Sequence, residues 1–229
     1  MIVASTYAPR RDHPMWQDYR PYLALQRRSV ERYGHRQVVI TDAAGALEMP
    51  DFDCFVDTTM PHELMPALVH AQADFLGADG FDDDVAFIGA DGLLGHDPAT
   101  LMDGNFAIGV TVDAGFMDCH LNTGLMLVAA GARSKAAAVW ALAAKHCGDN
   151  WSDDQRSLAG ALDVPIEHGL YRRHYGNLLV MPAFMHNDAP TGVEDGRRPV
   201  IVHFRGSRKA YMAEWAARHM DLVAQERRK

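Results

Sequence analysis

The first hundred residues alternate short apolar runs with longer amphipathic runs, and this alternation restricts the fold more than any other feature. Residues 2–7, 38–40 and 85–88 are short, largely apolar and rich in β-branched side chains. Such strands are buried on both faces, as in a parallel sheet covered by helices. Residues 16–33 and 65–76, which lie between them, have helical spacing of apolar residues. The sequence therefore predicts an α/β fold with a mostly parallel central sheet covered by helices.

The second half of the chain mixes predicted elements less regularly. Its apolar patterns predict four strands, at residues 106–112, 121–128, 178–181 and 200–204. They also predict three helices, at residues 134–146, 152–162 and 210–228. One further short strand is predicted in the first half, at residues 52–56. The length of 229 residues allows one large domain or two small ones.

Composition excludes several classes of protein. The chain has 22 Lys and Arg against 30 Asp and Glu, a net charge of −8, which argues against general binding of nucleic acid. No run approaches the roughly 18 apolar residues of a membrane-spanning helix. The first arginines follow the first apolar run, whereas a secretory signal has the opposite order. We therefore expect a cytoplasmic protein that spans no membrane and has no nucleic-acid partner.

A cationic segment, His203 to Lys209, directly follows the last predicted strand. A neutral imidazole can bind a divalent cation, and Gly206 allows backbone N–H groups to approach an anion closely. Lys209, one of only four lysines, supplies a point charge for a phosphate. The alternative is a strand end with solvated basic residues. Polar residues also follow two earlier strands, at 41–42 and 91–92, and ligands of such sheets bind at the carboxyl ends of strands.

The cationic segment resembles the His-x-x-Gly-x-x-Lys motif of the glycogenin-like family 8 glycosyltransferases, which have the GT-A fold. Other segments follow in the order of that family. Val85 to Asp91 resembles the strand with the Asp-x-Asp motif, and Leu121 to Leu127 resembles the Asn-x-Gly strand of the sugar site. Asp154-Gln155 resembles the pair that contacts the donor sugar. The resemblance spans most of the chain, and the His-x-x-Gly-x-x-Lys motif is its most specific part.

The resemblance implies an enzyme that transfers a sugar from a nucleoside diphosphate sugar, UDP-linked, to an unknown acceptor with retention of configuration. It implies a divalent cation, Mn²⁺ or Mg²⁺, held by Asp91 and His203, and a diphosphate held by Gly206 and Lys209. Because the motifs run through the chain, we expect a single GT-A-like domain over residues 1–229. Its nucleotide-binding half is residues 1–100, and its sugar and acceptor half is residues 101–229.

The resemblance also implies residues for the donor sugar and the nucleotide. Catalytic residues that orient the sugar are Asn122, Asp154 and Gln155, and those that bind it are Asn122, Gly124 and Asp154. The nucleotide is expected to contact residues at the ends of the first two strands, namely Ala4, Ser5, Thr6 and Asp42. Alternatives remain open: residues 122–124 also suit a β-bulge, and Asp154 also suits the acidic first turn of a helix.

The sequence departs from the family pattern at the first carboxylate of Asp-x-Asp, where it has Gly89. Three explanations are open: weaker metal binding, a substitute ligand nearby, or loss of catalysis. The acidic triplet at residues 82–84 precedes the strand, so it is predicted to be a solvated turn at the wrong end. A second hypothesis follows, that the chain is a non-catalytic module that keeps a sugar-nucleotide pocket.

Overall fold

An eight-stranded sheet forms the centre of the protein, and the computed structural model describes residues 1–14, 16–102, 104–113, 121–163 and 172–220. The strands in these ranges are β1 (Ile2–Tyr7), β2 (Arg36–Thr41), β3 (Cys54–Val56), β4 (Val85–Ile88), β5 (Gly92–Leu94), β6 (Ile108–Val112), β7 (Leu121–Val128), β8 (Arg173–Tyr175), β9 (Leu178–Pro182), β10 (Asn187–Asp188) and β11 (Ile201–His203). The helices are α1 (Arg20–Glu31), α2 (Ala43–Glu48), α3 (Leu64–Gly77), α4 (Arg133–His146), α5 (Asp153–Leu162), α6 (Ala183–His186) and α7 (Met212–Met220).

The strand order of the central sheet is β3-β2-β1-β4-β7-β6-β9-β8. The four neighbouring strands β3, β2, β1 and β4 are all parallel to one another, and β6 is parallel to β9. Strand β7 runs antiparallel between β4 and β6, and β8 runs antiparallel to β9. A separate small sheet has the order β10-β11-β5. The predicted α/β class with a mainly parallel, helix-covered sheet is confirmed.

Helices α3, α4 and α5 pack on one face of the sheet through a core of aromatic and aliphatic side chains. The ring of Phe87 on β4 lies 6.2 Å from Phe75 on α3 and 5.9 Å from Trp140 on α4. Trp140 is fully buried, and its indole N–H donates to Oε1 of Gln72 at 2.8 Å. The hydrogen bond satisfies the one polar atom of this side chain inside an apolar layer.

Helix α1 begins at Arg20, four residues later than the sequence pattern predicts. Proline has no N–H and is tolerated only in the first turn of a helix, so Pro21 sets the start there. At the other end of the chain, residues 206–211 form a 3₁₀ turn before α7, so the predicted helix begins two residues late. Its predicted continuation beyond residue 220 lies outside the described residues.

The acidic triplet lies at the amino end of β4, as predicted. The side chains of Asp82 and Asp83 are exposed, and Asp84 accepts a hydrogen bond from the backbone N–H of Ala130 at 2.8 Å. Strands β5, β8 and β10 were not predicted, because each is only two or three residues long and none lies within a longer run of β-branched residues. Among the described residues, no helix combines the length and the hydropathy needed to cross a membrane.

The guanidinium of Arg133 joins the carboxyl end of α3 to the segment before β4. It donates to the backbone oxygens of Phe75 at 2.7 Å, Leu76 at 3.4 Å, and Phe81. The rings of Phe75 and Phe81 each lie 5.4 Å from its central carbon. Burial lowers the pKa of Arg133, but these acceptors keep the cation satisfied.

Replacing Arg133 by Met should lower the free energy of unfolding by about 3 kcal/mol, because buried carbonyls lose their donors. Arg156 is the matched control, because it is well exposed and pairs with Asp153 at 2.9 Å on the surface. Its replacement by Met should cost less than about 1 kcal/mol. Urea unfolding of both variants measures the difference, and equal losses would show that the Arg133 hydrogen bonds do not stabilise the fold.

Candidate active-site cleft

The pairing of β5 with β11 brings Asp91 and His203 together. In this antiparallel pair His203 lies opposite Gly92, the residue that follows Asp91. The backbone N–H of Phe204 donates to the backbone oxygen of Asp91 at 2.9 Å. As a result, Nε2 of His203 lies 3.0 Å from Oδ1 of Asp91. Two residues that the sequence separates by 112 positions therefore share one hydrogen bond.

A buried amide holds the turn that carries Asp91. The side chain of Gln26 on α1 donates from Nε2 to the backbone oxygens of Gly89 at 2.8 Å and Gly92 at 3.0 Å. The Ser5 hydroxyl lies 2.8 Å from Oε1 of Gln26 and 2.9 Å from the backbone oxygen of Ile88, so its one hydrogen can be donated to either acceptor. Ser5 and Gln26 are both fully buried, so they fix the turn from inside the protein.

Lys209 forms an ion pair with the same carboxylate. Its Nζ lies 3.2 Å from Oδ2 of Asp91 and 5.4 Å from the ring centroid of Tyr19, and only 10% of the side chain is exposed. Burial by itself raises the pKa of the Asp91 carboxyl, but His203 and Lys209 outweigh it, and the net pKa lies below its ordinary value. Asp91 is therefore ionised and holds the ammonium in place.

A β-bulge in β7 presents the Asn-Thr-Gly segment. The register jumps at this point, so that Val110 pairs with Met126 while Thr111 pairs with Asn122. The Thr111 hydroxyl is 2.8 Å from the backbone oxygen of Asn122, and the backbone N–H of Gly124 donates to Oδ1 of Asn122 at 3.0 Å. Residues 122–124 therefore both form a β-bulge and line the cleft, so the two alternatives left open by the sequence are compatible.

Asn187 on β10 joins this segment and was missed by sequence reasoning. The side chain is fully buried, and its Nδ2 donates to Oδ1 of Asn122 at 2.8 Å. A Cβ at position 124 would collide with both Asn187 and Nδ1 of His203, so only glycine fits there. A polar residue in a two-residue strand carries no sequence signal that would point to this role.

Asp154 lies in the first turn of α5, which begins after Ser152 in the left-handed region at φ 71°. The Thr123 hydroxyl is 3.4 Å from Oδ2 of Asp154. Burial raises the pKa of Asp154, and hydrogen bonds from the Gln155 backbone and from Thr123 only partly oppose it, so the net pKa lies above its ordinary value. The carboxyl therefore has few partners of its own and faces the cleft.

These elements surround one cleft of about 240 Å³. Nine of the residues singled out in the sequence line it: Thr6, Asp91, Asn122, Gly124, Asp154, Gln155, His203, Gly206 and Lys209. They come from β1, the β4–β5 turn, β7, α5, the end of β11 and the 3₁₀ turn that follows it, and so from both halves of the chain.

Three residues expected near the nucleotide do not line the cleft. Ala4 is fully buried in the centre of the sheet, and Ser5 holds Gln26 as described above. Asp42 caps α2 by accepting from the backbone N–H of Gly45 at 2.8 Å, and it pairs with Arg10 at 2.5 Å. Ala4 is packed inside the fold, and the side chains of Ser5 and Asp42 are used in contacts within the protein, so none of the three contributes to the cleft surface.

Aromatic side chains form part of the cleft wall and were not foreseen. Trp16 and Tyr19 were predicted on a helix face, but they precede α1 and line the cleft together with Trp151. The sequence feature that could have shown this is Pro21, because a proline is tolerated only in the first turn of a helix and so places residues 16–19 before α1. Gln72 of α3 also lines the cleft.

The donor set beside Asp91 does not fit a resident divalent cation. Mn²⁺ and Mg²⁺ prefer several oxygen ligands, usually including carboxylates. Here the chain offers one carboxylate and one imidazole, and the carboxylate is already paired with Lys209. Among the described residues, no third His, Cys, Asp or Glu joins these two in a metal-sized group.

A group that could hold a metal ion does exist elsewhere, formed by Asp57, His70 and Asp74. Nδ1 of His70 lies 3.2 Å from Asp57 and 4.0 Å from Asp74. The Thr59 hydroxyl bridges the two carboxylates at 2.9 and 3.0 Å. None of these residues lines the cleft, so the group is separate from the site described above.

No family model and no curated protein matches the sequence. Solved structures do match. The galactosyltransferase LgtC, in complex with donor and acceptor sugar analogs, is 16% identical with a TM-score of 0.57 over 98% of this chain and 96% of its own. The chain has the GT-A fold. A glycosyltransferase involved in glycosylation of the major capsid of PBCV-1 is 15% identical with a TM-score of 0.56, over 97% and 98% of the two chains.

The glycosyltransferase GlyE of Streptococcus pneumoniae shares the GT-A fold at 11% identity. Its TM-score is 0.59, and the match covers 98% of this chain but 63% of GlyE. At these identities the GT-A fold is what the similarity establishes, and activity has to be argued from the cleft.

Proposed function

We propose that the chain is a glycosyltransferase that moves a sugar from a nucleoside diphosphate sugar, UDP-linked, to an acceptor hydroxyl. The observation that carries the proposal is one cleft lined by both cationic and polar residues. The cationic residues of the cleft include Lys209 and Arg205, with Gly206 between them, and its polar residues include Asn122 and Asp154. Its place in a GT-A fold, as in the solved glycosyltransferases, supports the same activity.

The cationic residues of the cleft suit a diphosphate leaving group. The Lys209 ammonium uses one of its hydrogen-bond positions on Asp91 and keeps others for a ligand. Gly206 lines the cleft and has φ 61°, a left-handed conformation that favours glycine. Positive groups fixed in a partly buried cleft stabilise the negative charge that develops on a leaving diphosphate.

The polar residues of the cleft suit the donor sugar. The amide of Asn122 and the carboxyl of Asp154 face the cleft beside Gln155, and these groups can hydrogen-bond sugar hydroxyls. Trp16 and Tyr19 provide aromatic faces against which a base or a sugar ring can stack.

Transfer with retention follows from donor and acceptor meeting on one face of the sugar. The bond between the anomeric carbon and the diphosphate oxygen breaks, and the acceptor oxygen bonds to that carbon from the same face. The acceptor proton passes to an oxygen of the leaving diphosphate, so no separate general base is required. Asn122, Asp154 and Gln155 would orient the sugar during this step.

The resemblance implies Mn²⁺ or Mg²⁺ held by Asp91 and His203, but one carboxylate that is already paired with Lys209 does not fit such an ion. The proposed transfer therefore includes no step on a metal. Gly89 instead favours the second candidate, a non-catalytic module that binds sugar nucleotides. A single domain, a cytoplasmic location and no nucleic-acid partner remain predictions.

The test is release of free nucleoside diphosphate from a panel of UDP-, GDP- and ADP-sugars, measured with and without Mn²⁺. We expect release from at least one donor, and we expect Gln155→Ala to reduce it by at least about tenfold. Binding without release would support the non-catalytic module. If the protein shows no release and also no nucleotide binding, both functions are excluded. Release that is unaffected by Gln155→Ala would indicate a contaminating enzyme.

A further inference from the structure

We propose that the cleft binds the donor diphosphate without a divalent cation, because side chains of the chain itself supply the positive charge. Lys209 and Arg205 take the place that the metal ion has in the resembled family. The inference rests on the proposed function, since it concerns the same diphosphate.

The first step is the geometry at Gly89. A Cβ placed on this residue would lie 2.9 Å from Oδ1 of Asp91 and 3.0 Å from Nε2 of His203. A side chain at this position would therefore point between the two expected metal ligands. Glycine supplies no third ligand there, and its small size lets Asp91 and His203 hydrogen-bond directly at 3.0 Å.

The second step is the position of Lys209. The ammonium lies 3.2 Å from Oδ2 of Asp91, so the one carboxylate of the site is already neutralised by a fixed charge. A divalent cation bound to the same carboxylate would lie close to the ammonium, and the repulsion of like charges is strong where water is largely excluded. Binding a metal there requires Lys209 to move, whereas binding an anion does not.

The third step is Arg205, which also lines the cleft. Its Nε is buried and has no hydrogen-bond partner within the described residues. The nearest ion-pair contact is long, 3.8 Å from Nη2 to Asp113. A buried donor without a partner is costly, and a guanidinium binds phosphate oxygens well. Arg205 therefore adds a second cation with unused donor capacity near Lys209.

Calorimetry with inorganic pyrophosphate, and separately with UDP, tests the inference without knowledge of the base or sugar. We expect dissociation constants in excess chelator to lie within about threefold of those in Mn²⁺, since the chain provides the charge. A loss of affinity of about 100-fold or more in chelator would overturn the inference and leave the proposed function intact. No binding of either probe in either condition would overturn the proposed function as well.

A second experiment uses Gly89→Asp, with Gly89→Ala as its matched control. Both variants place a Cβ against Asp91 and His203, but only Asp adds a second carboxylate. All proteins in this comparison also carry His70→Ala, which removes the separate Asp57, His70 and Asp74 group. Electron paramagnetic resonance of bound Mn²⁺, in the absence of nucleotide, should then detect uptake by Gly89→Asp alone. Uptake at a comparable affinity when Gly89 is retained would contradict the inference.

Discussion

Replacing Lys209 by Ala will weaken binding of UDP or pyrophosphate by about 30- to 100-fold. The expected loss is that of one charge-assisted hydrogen bond to a phosphate, about 2–3 kcal/mol. The ammonium is nearly buried and already held by Asp91, so its binding conformation costs little further entropy. Titration calorimetry of the variant measures the change.

Lys145 is the matched control, because it is one of the four lysines and lies exposed on α4. Lys145→Ala should leave the affinity unchanged, while Lys209→Arg should keep part of it because the charge remains. An unchanged affinity in Lys209→Ala would show that the diphosphate binds elsewhere. Unfolding measurements on Lys209→Ala are needed beside the titration, since Asp91 then loses one of its two partners.

Replacing Asp154 by Asn will reduce sugar transfer by about 100-fold or more while making the fold more stable at neutral pH. The loss of activity is expected because an amide replaces one carboxyl oxygen beside the donor sugar with an N–H₂ donor, which changes the pattern of hydrogen bonds that the sugar hydroxyls can make. Steady-state rates with the best donor of the panel measure the first effect, and thermal unfolding measures the second.

The stability effect has a defined pH dependence. Burial raises the pKa of Asp154 in the folded chain, so ionising it costs the folded state more than the unfolded one. Wild-type stability is therefore lost as the pH rises from the ordinary value of 3.8 through the raised value. Asp154→Asn avoids this loss, so the two proteins should differ above that range and agree below it.

Asp153 provides a control of opposite sign. Hydrogen bonds from the backbone and side chain of Asn150 lower its pKa, so its ionised form stabilises the fold above its ordinary pKa. Asp153→Asn should therefore be less stable than wild type at neutral pH and retain transfer activity. A gain of stability in both variants would indicate a general charge effect rather than the burial of Asp154.

The sequence was sufficient for elements that a regular pattern defines. Strands β1, β4 and β7 have the predicted bounds, because each contains a run of buried apolar side chains. The sequence was insufficient where a single proline sets the start of a helix or where two distant strands pair. Pro21 delays α1, which leaves Trp16 and Tyr19 free to line the cleft.

Nine residues that line the cleft were singled out from motifs, but its aromatic wall and the contacts that arrange it were not predicted. Residues 91 and 203 meet because β5 pairs with β11, and a three-residue strand has no detectable period. Gln26 and Asn187 are isolated polar residues in the sequence, and only tertiary packing gives them partners. Ser5 illustrates the converse, since its place at the end of a strand suggested a ligand while its hydroxyl is used inside the fold.

The β5–β11 pairing also limits how this chain can be recombined. A segment exchange that replaces residues 1–100 to change the nucleotide would bring in a new β5 and leave β11 to match it. The register that places His203 opposite Gly92 belongs to both segments, so a functional chimera needs residues 201–209 from the same parent as residues 85–94. Residues 85–94 and 201–209 must therefore come from the same parent to keep the cleft aligned. Crossovers that separate them should yield folded chains with a misaligned cleft.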